Sequence, residues 1–538
     1  MSCRSGLYIL SAGCLCALFL TLVACQAPLL HIRQDNAQRV LVAYRAKPVA
    51  AANQGRTDLT LHDCRRLVLS NSLDMHTALW DEQVKARTAQ STLPAMLPKI
   101  EGRYEYSQRD TLAWSRSDVI GQEGSFEVIG PGPGTGVTNW STARTRAWSR
   151  GHIELKWSPM EAAMAYYFSR VRNNETDFAK YQRDRVAQKL IGSATAAFYR
   201  LLALQEALPR AEELVNKLVG VSSDLETVGD RGRTLDLYRE KEKEYQETLR
   251  YSKARWSNAK ARLSEIRVSI GKQRDLLAAN MNVCPDDHFR VIGRLEPIPP
   301  WDLEPCKLEA AALLNRPEAF QADLTFLSSL DEQKRSIVKF FPKAEGFLGQ
   351  YWDATKFLYH NGWTDGGLRV TWDLMQFTSD LLSYQAAKEN VVKTDKERSL
   401  ISMGILTQVR METLDAISAY DRLKKAAELE VQARESYRIA QALDKGRSLV
   451  DSVSRHLGHV DARLKLCDLL EARIDKLLAA GELHAALADL HAAVGTNFPV
   501  STAHPQAQDE RRMAHQIMHL PKSVLGSAVG AVSDLIRR

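Results

Sequence analysis

Hydrophobic and polar positions change their spacing several times along this chain, and each change predicts an element. Behind Arg4 a largely apolar run extends from Leu7 to Ala24. Helical stretches are expected over Leu59 to Ala89 and again over Leu308 to Lys339. Each leads through a proline into period-two alternation. In the first region Ile100, Gly102, Tyr104 and Tyr106 alternate with Glu101, Arg103 and Glu105. On the return, Ile153, Leu155 and Trp157 alternate with His152, Glu154 and Lys156. In the second region Leu368, Val370 and Trp372 alternate with Arg369 and Thr371, and a partner strand is expected near Ala344 to Ala354. Such alternation predicts strands with one apolar and one polar face. A long loop containing GPGPGTG joins the first pair, and a shorter turn at Asn361-Gly362 joins the second.

A very long helix is predicted after each hairpin, from about Met160 to Val228 and from about Met375 to Leu443. At 1.5 Å per residue each would reach roughly 100 Å, well beyond an ordinary globular helix. Pro209 is expected to kink the first. Each helix ends in a glycine-containing turn, Asp230 to Thr234 or Asp444 to Ser448, and a return helix follows. On the second return helix Val453, Leu457, Val460, Leu464, Cys467, Ile474 and Leu478 keep a spacing near 3.5, interrupted by Glu471. That spacing predicts a coiled-coil seam.

The same succession is written twice. LPKIEG at Leu97 to Gly102 returns as FPKAEG at Phe341 to Gly346, and ELKWSPM ending at Met160 returns as RVTWDLM ending at Met375. DRGRTL from Asp230 returns as DKGRSL from Asp444, and LSEIRVSIG ending at Gly271 returns as LADLHAAVG ending at Gly495. Weak matches in one order predict a tandem duplication. The expected organisation is a signal over residues 1–24, a linker over 25–58, a first repeat over 59–271, a connector over 272–307, a second repeat over 308–495 and a tail over 496–538.

Composition alters this picture little. The 538 residues are 45% hydrophobic and 25% charged, as in an ordinary folded protein. The net charge of +7 comes without a block of Lys and Arg, so no nucleic-acid partner is expected. The N-terminus changes more. A basic start, an apolar stretch and small residues before a cut site describe a secretory signal. The ending Leu22-Val23-Ala24-Cys25 looks like a bacterial lipobox, which would place lipid on Cys25; an uncleaved membrane anchor is the other reading. No later stretch is expected to span a membrane as a helix, so any further crossing is expected from strands. Cys284 and Cys306 lie close together in the Pro-rich connector, where a disulfide and two unpaired thiols both fit an oxidising compartment. The histidines are scattered, with no His-Glu-x-x-His pair, no Cys-x-x-Cys cluster and no phosphate-holding Gly-x-x-x-x-Gly-Lys loop. No enzyme, metal or cofactor is therefore expected. GPGPGTG joins two strands and precedes no helix, which argues against a nucleotide site.

Four amphipathic strands cannot close a membrane barrel, and lipid does not tolerate an open sheet edge. The strands must pool between subunits or form a soluble sheet. Several segments resemble the TolC family of outer-membrane efflux proteins: LTLHDCRRLVLSNS, NRPEAFQAD, the proline entering and the tryptophan leaving each hairpin, the paired glycine turns, and the closing ALADLHAAVG. The resemblance covers about Leu59 to Gly495. It implies a mainly α fold with long coiled-coil hairpins, and a homotrimer whose strands form a twelve-stranded outer-membrane barrel above a twelve-helix periplasmic tunnel. It implies a passive exit duct of a tripartite efflux pump or type I secretion system, partnered by a periplasmic adaptor and an inner-membrane pump of RND, ABC or MFS type. The connector and tail would gather at the equator.

The resemblance also places Gly232, Arg233, Thr234, Gly446, Arg447 and Ser448 at the tips where the adaptor docks; the plainer reading is a glycine helix stop and a Ser or Thr cap. Asp451 falls at a candidate gate position, where three copies would make a negative ring. The plainer reading is a solvated acid at a helix start. Asp236, one residue closer to its turn, is not equivalent. The rival from another class is a non-conducting periplasmic coiled-coil lipoprotein.

Mass spectrometry of the mature protein is expected to find a diacylated Cys25 followed by Gln26. Unmodified cleavage elsewhere, or a retained signal, would remove the anchor.

Overall fold

A computed structural model describes residues 29–45, 48–53, 55–111, 115–116, 140–141, 146–232, 236–284, 289–295, 304–355, 358–447 and 452–496. Cys25 and the signal, Arg233, Thr234, Ser448, Asp451 and the tail from residue 497 lie outside these residues.

The chain begins with helices α1 (Leu29–Arg45) and α2 (Val49–Ala52), the short strand β1 (Asp58–Leu59), and helices α3 (Leu61–Asn71) and α4 (Leu73–Gln90). Strand β2 (Lys99–Gln108), the two-residue strands β3 (Ser115–Arg116) and β4 (Trp140–Ser141), and strand β5 (Ala147–Trp157) come next. Helices α5 (Pro159–Gly232) and α6 (Asp236–Met281) follow, and β6 (Arg290–Val291) pairs parallel with β1. The second half holds α7 (Pro305–Asn315), α8 (Pro317–Val338), β7 (Lys343–Asp353), β8 (Gly362–Thr371), α9 (Gln376–Arg447) and α10 (Ser452–Val494).

The two long helices are longer than the pattern suggested, at 74 residues for α5 and 72 for α9, or about 110 Å each. Pro209 does not end α5, which runs through it. The opening helical stretches are each broken in two. Thr60 begins α3 with a reciprocal capping box to Asp63, and Ser72 then adopts an extended backbone that separates α3 from α4. Arg316 is extended for a different reason: Pro317 at the first position of α8 disfavours a helical residue before it. The first return helix continues through Gly271 to Met281, where Asn282 takes a left-handed backbone.

Helix α5 is the centre of the shaft. Towards the sheet it packs between α4 and α8, and towards the far end between α6 and α10; α9 flanks α8 and α10 on the outside. Leu201, Leu214, Leu218 and Leu225 of α5 are completely or almost completely buried, among them a continuous core shared with Ile266 of α6 and Ile474 of α10. Of the seam read on α10, Val460, Leu464, Cys467 and Ile474 are buried and Leu478 packs on the same core, while the side chains of Val453 and Leu457 lie outside the described residues. Glu471, which interrupts it, pairs with Arg255 of α6 at 2.8 Å, and the same guanidinium reaches Asp468 at 2.6 Å. Contrary to the expectation of no later candidate, Gly458–Val494 is long and apolar enough to cross a membrane by length and composition. Its apolar side is used against α5 and α9, because a seam facing two helices needs more apolar positions than an ordinary surface helix.

A buried polar knot joins the halves where α7 meets α8. Arg185 and Arg316, both nearly inaccessible, pair with Glu318; Arg316 also donates to Gln408 of α9, and Arg185 to the Ala492 carbonyl. Gln188 donates to the Gly495 carbonyl at 3.2 Å. Gly495 closes α10 at φ +83°, and a Cβ there would lie 2.9 Å from the Asn315 carbonyl oxygen, so both conformation and space call for glycine. Cys284 and Cys306 are free thiols, the first half-buried after α6 and the second exposed in the first turn of α7. The disulfide alternative is not the one this structure contains.

Burial by itself would push the Glu318 carboxyl up, but the Arg316 hydrogen bond and the Arg185 and Arg316 charges together hold it below its usual 4.5. A depressed carboxylate contributes stability above its unfolded pKa and loses it as the pH falls through the folded value. Urea midpoints of the wild type are therefore expected to fall on acidification below about pH 4.5. Glu318→Gln is expected to be less stable at pH 7 and to show a shallower acid limb.

Candidate functional site

Strands β2, β5, β7 and β8 form one antiparallel sheet in that order. The two hairpins are joined inside the chain by β5 against β7, with Arg150 opposite Asp353 and Trp157 opposite Gly346. Among the described residues β2 and β8 each have a partner on one side only, so both sheet edges are open.

Register sorts the side chains into two faces. On one face lie Ile100, Leu155 and Leu348 in a cross-strand row, with Ile153, Leu368 and Val370 nearby, all exposed in this protomer except for partial cover. The polar pair on this face, Gln350 and Thr364, is satisfied internally by a 2.7 Å hydrogen bond. Aromatic side chains mark both ends. Trp157 and Trp372 stand at the helix end, where the Trp157 indole donates to the Met96 carbonyl at 3.3 Å. Tyr104, Tyr106 and Trp352 stand at the far end. Trp352 lies flat over Gly151, where a Cβ would be 2.2 Å from its ring. Strands of this length are about 34 Å long, which at the tilt of a membrane barrel gives a band about 25 Å tall.

The opposite face is charged and cross-linked. Lys156 pairs with Glu101 and Glu154 at 3.0 Å each, Arg150 with Asp353 at 3.2 Å, and Arg369 with Glu345 at 3.4 Å. At the junction with the shaft, Lys99 reaches Glu161 in the first turn of α5 at 2.8 Å. A polar pocket of about 230 Å³ opens there between Lys99, Lys156, Glu161 and Glu345.

One apolar face bounded by aromatic side chains, with a charged opposite face, is the pattern that strands of a membrane barrel carry. No family model matches the chain, and no curated protein sequence matches it. Solved structures do. The outer-membrane channel OprN superposes with a TM-score of 0.60 at 14% identity, over 81% of this chain and 89% of that one. The CmeC outer-membrane channel of Campylobacter jejuni gives 0.59 at 12% identity, over 84% and 88%. The open-state MtrE outer-membrane channel of Neisseria gonorrhoeae gives 0.56 at 13% identity, over 80% and 88%. The fold is that of the TolC-like outer-membrane channels. The mainly α architecture with a small strand contribution, read from the pattern, is the one observed.

At the opposite end of this channel fold the tip residues are only partly described. Gly232 is the last residue of α5, and Gly446 and Arg447 are the last two of α9, so both helices run into the segments read as turns. Arg233, Thr234, Ser448 and the candidate gate Asp451 lie outside the described residues. Near this end Arg463 of α10 pairs with Asp224 of α5, and His459 lies 3.0 Å from Asp444. The sequence reading missed the second girdle at Trp352 and the polar ladder. Alternation in β7 is masked by Gly346, Gly349 and Gln350, and the paired charges are far apart in sequence.

Leu348→Arg, in the middle of the apolar band, is expected to cost roughly 2–4 kcal/mol of stability in lipid vesicles. Glu105→Arg, on the charged face, is expected to fold at nearly wild-type urea concentrations.

Proposed function

We propose that this chain is one protomer of a trimeric duct through an outer membrane, anchored by lipid on Cys25 and extending into the periplasm. The two-faced sheet with two open edges carries this reading. Edge β8 of one copy would pair with edge β2 of the next, and three copies of four strands would close a barrel of twelve, leaving no unpaired backbone in the hydrocarbon. The shaft supports the same arrangement. The outer side of α9 exposes Leu400, Met403, Met411 and Leu414, and α4 exposes Leu73, Trp80 and Val84, apolar surface suited to a neighbouring copy.

The polar face then lines the passage, and the helices continue it about 100 Å into the periplasm. There the tips at Gly232-Arg233-Thr234 and Gly446-Arg447-Ser448 would meet a periplasmic adaptor serving an inner-membrane pump of RND, ABC or MFS type, in efflux or type I secretion. Asp451 is proposed to line the narrow end. A non-conducting coiled-coil spacer would need the lipid and the long helices, but gives no role to the girdled apolar band. The energy source belongs to the pump, and the channel itself is proposed to be passive.

Detergent-extracted protein is expected to sediment as a trimer and to conduct in planar bilayers. A monodisperse monomer without conductance would favour the spacer. Replacing both Gly232 and Gly446 with tryptophan is expected to abolish export in cells while leaving trimer and surface level unchanged. Unchanged export at normal protein level would move the docking site elsewhere.

A further inference from the structure

The chain is pinned at mid-shaft soon after it begins. Val49 of α2 is completely buried, in a core that includes Leu59, Cys64 and Leu201. Asn53, just after α2, is buried too; it accepts from Arg66 of α3 at 2.9 Å and donates to the Asp58 carbonyl of β1 at 3.4 Å. The neighbouring Arg65 donates to Thr195 of α5 at 3.2 Å. A Cβ on Gly293, just past β6, would lie 3.2 Å from Leu202 and 3.4 Å from Phe198 of the same helix. These contacts seat Val49 level with Thr195 to Leu202. Thr195 lies 36 positions along α5 from Pro159, so the seat is about 54 Å from the sheet end of the shaft.

Val49 comes only 24 positions after Cys25. Of these, the 17 residues of α1 span about 25 Å, and the other seven reach at most about 25 Å when extended. The reach of about 50 Å matches the distance from the seat to the sheet end to within one helical turn. Both lengths lie inside one chain, so a neighbouring copy does not alter the match. Unlike α2, α1 contributes no residue to the described core. Asp35 and Arg39 pair with each other at 2.6 Å, and Val40 and Val42 are exposed within the protomer.

We propose that α1 is a stay of set length, joining the lipid on Cys25 to the Val49 seat along the outside of the shaft. The proposal rests on the lipid-anchor reading and goes beyond it by saying where the anchor pulls. With Cys25 held at the bilayer surface, α1 stands beside the upper shaft and has no slack to lie on the membrane. The lipid then holds the middle of the shaft rather than a loose N-terminus. Three such stays in a trimer would oppose tilting of the shaft.

Hydrogen exchange at the Ala52 and Asn53 amides, which donate to the Pro48 and Val49 carbonyls, reads whether the seat is filled in protein reconstituted into phospholipid vesicles. Deleting residues 29–45 leaves a reach of about 25 Å, under half the distance. In the lipidated deletion these amides are expected to exchange at least about tenfold faster than in the wild type. Wild-type protection is expected to return when the deletion carries Cys25→Ser behind a cleavable signal that adds no lipid. It is also expected when a Gly/Ser segment of equal residue number replaces 29–45, since that segment can extend. Deleting only residues 33–39, two turns, is expected to give a smaller loss that again needs the lipid, and it serves if the larger deletion fails to assemble. Wild-type protection in both lipidated deletions would overturn the stay with the anchor intact. Equal loss with and without the lipid would overturn it as well, because α1 would then support the seat by packing rather than by length. Mass spectrometry of the same samples showing no lipid on Cys25 would instead remove the anchor reading, and the stay with it.

Discussion

A peptide group in hydrocarbon has no water to bond, so each must find its partner within protein. In the proposed membrane barrel, the arrangement of this chain follows from that constraint. Pairing β5 with β7 converts two hairpins into one sheet and leaves only the outer sides of β2 and β8 to be satisfied. A chain with four such strands cannot finish the task itself. The proposed assembly uses copies of the same chain, which carry the complementary edge by construction.

The helical shaft answers the same division of labour. With α5 enclosed by four helices, its leucines form the core, while α9 and α4 keep apolar residues on their outer sides. Ion pairs fix how the two helical hairpins sit on one another. Arg255 of α6 with Asp468 and Glu471 of α10, and Arg262 with Asp475, repeat one contact two turns apart. The half-exposed Arg262 pair contributes little stability by itself, and Arg255 is largely buried, but both oppose sliding of one helix along another because each displaced charge loses its partner. At the other end of the shaft the knot of Arg185, Arg316 and Glu318 does the corresponding work between α5, α8 and α9.

The sheet shows how glycine can serve aromatic placement. Gly151 admits Trp352 on the apolar face, and Gly349 admits Tyr351 on the polar face, so adjacent residues of β7 lie over glycines on opposite faces, one across to β5 and one along β7. The first adds to the aromatic end of the apolar face, and the second lies in the row with His152 and Trp363. These glycines weaken the alternation that a reader of the sequence depends on, because a missing side chain has no hydrophobic or polar value.

The sequence by itself determined what local periodicity encodes. Alternation at Ile100 to Tyr106 and at Leu368 to Trp372 determined strands and their faces, since side-chain direction in a strand depends only on parity. The 3.5 spacing on α10 determined its buried seam, and the order of elements around the two hairpins carried the resemblance to the channel fold. The tertiary structure decided what depends on partners distant in sequence. It decided that β5 meets β7, which puts His152, Tyr351 and Trp363 in one row although more than 200 residues separate the first from the last. It decided that Glu471, an interruption in the pattern, is a satisfied ion pair, and that the long apolar stretch of α10 is a helix core. Periodicity reports which way a side chain points, whereas its partner is set by pairing and packing across the whole chain.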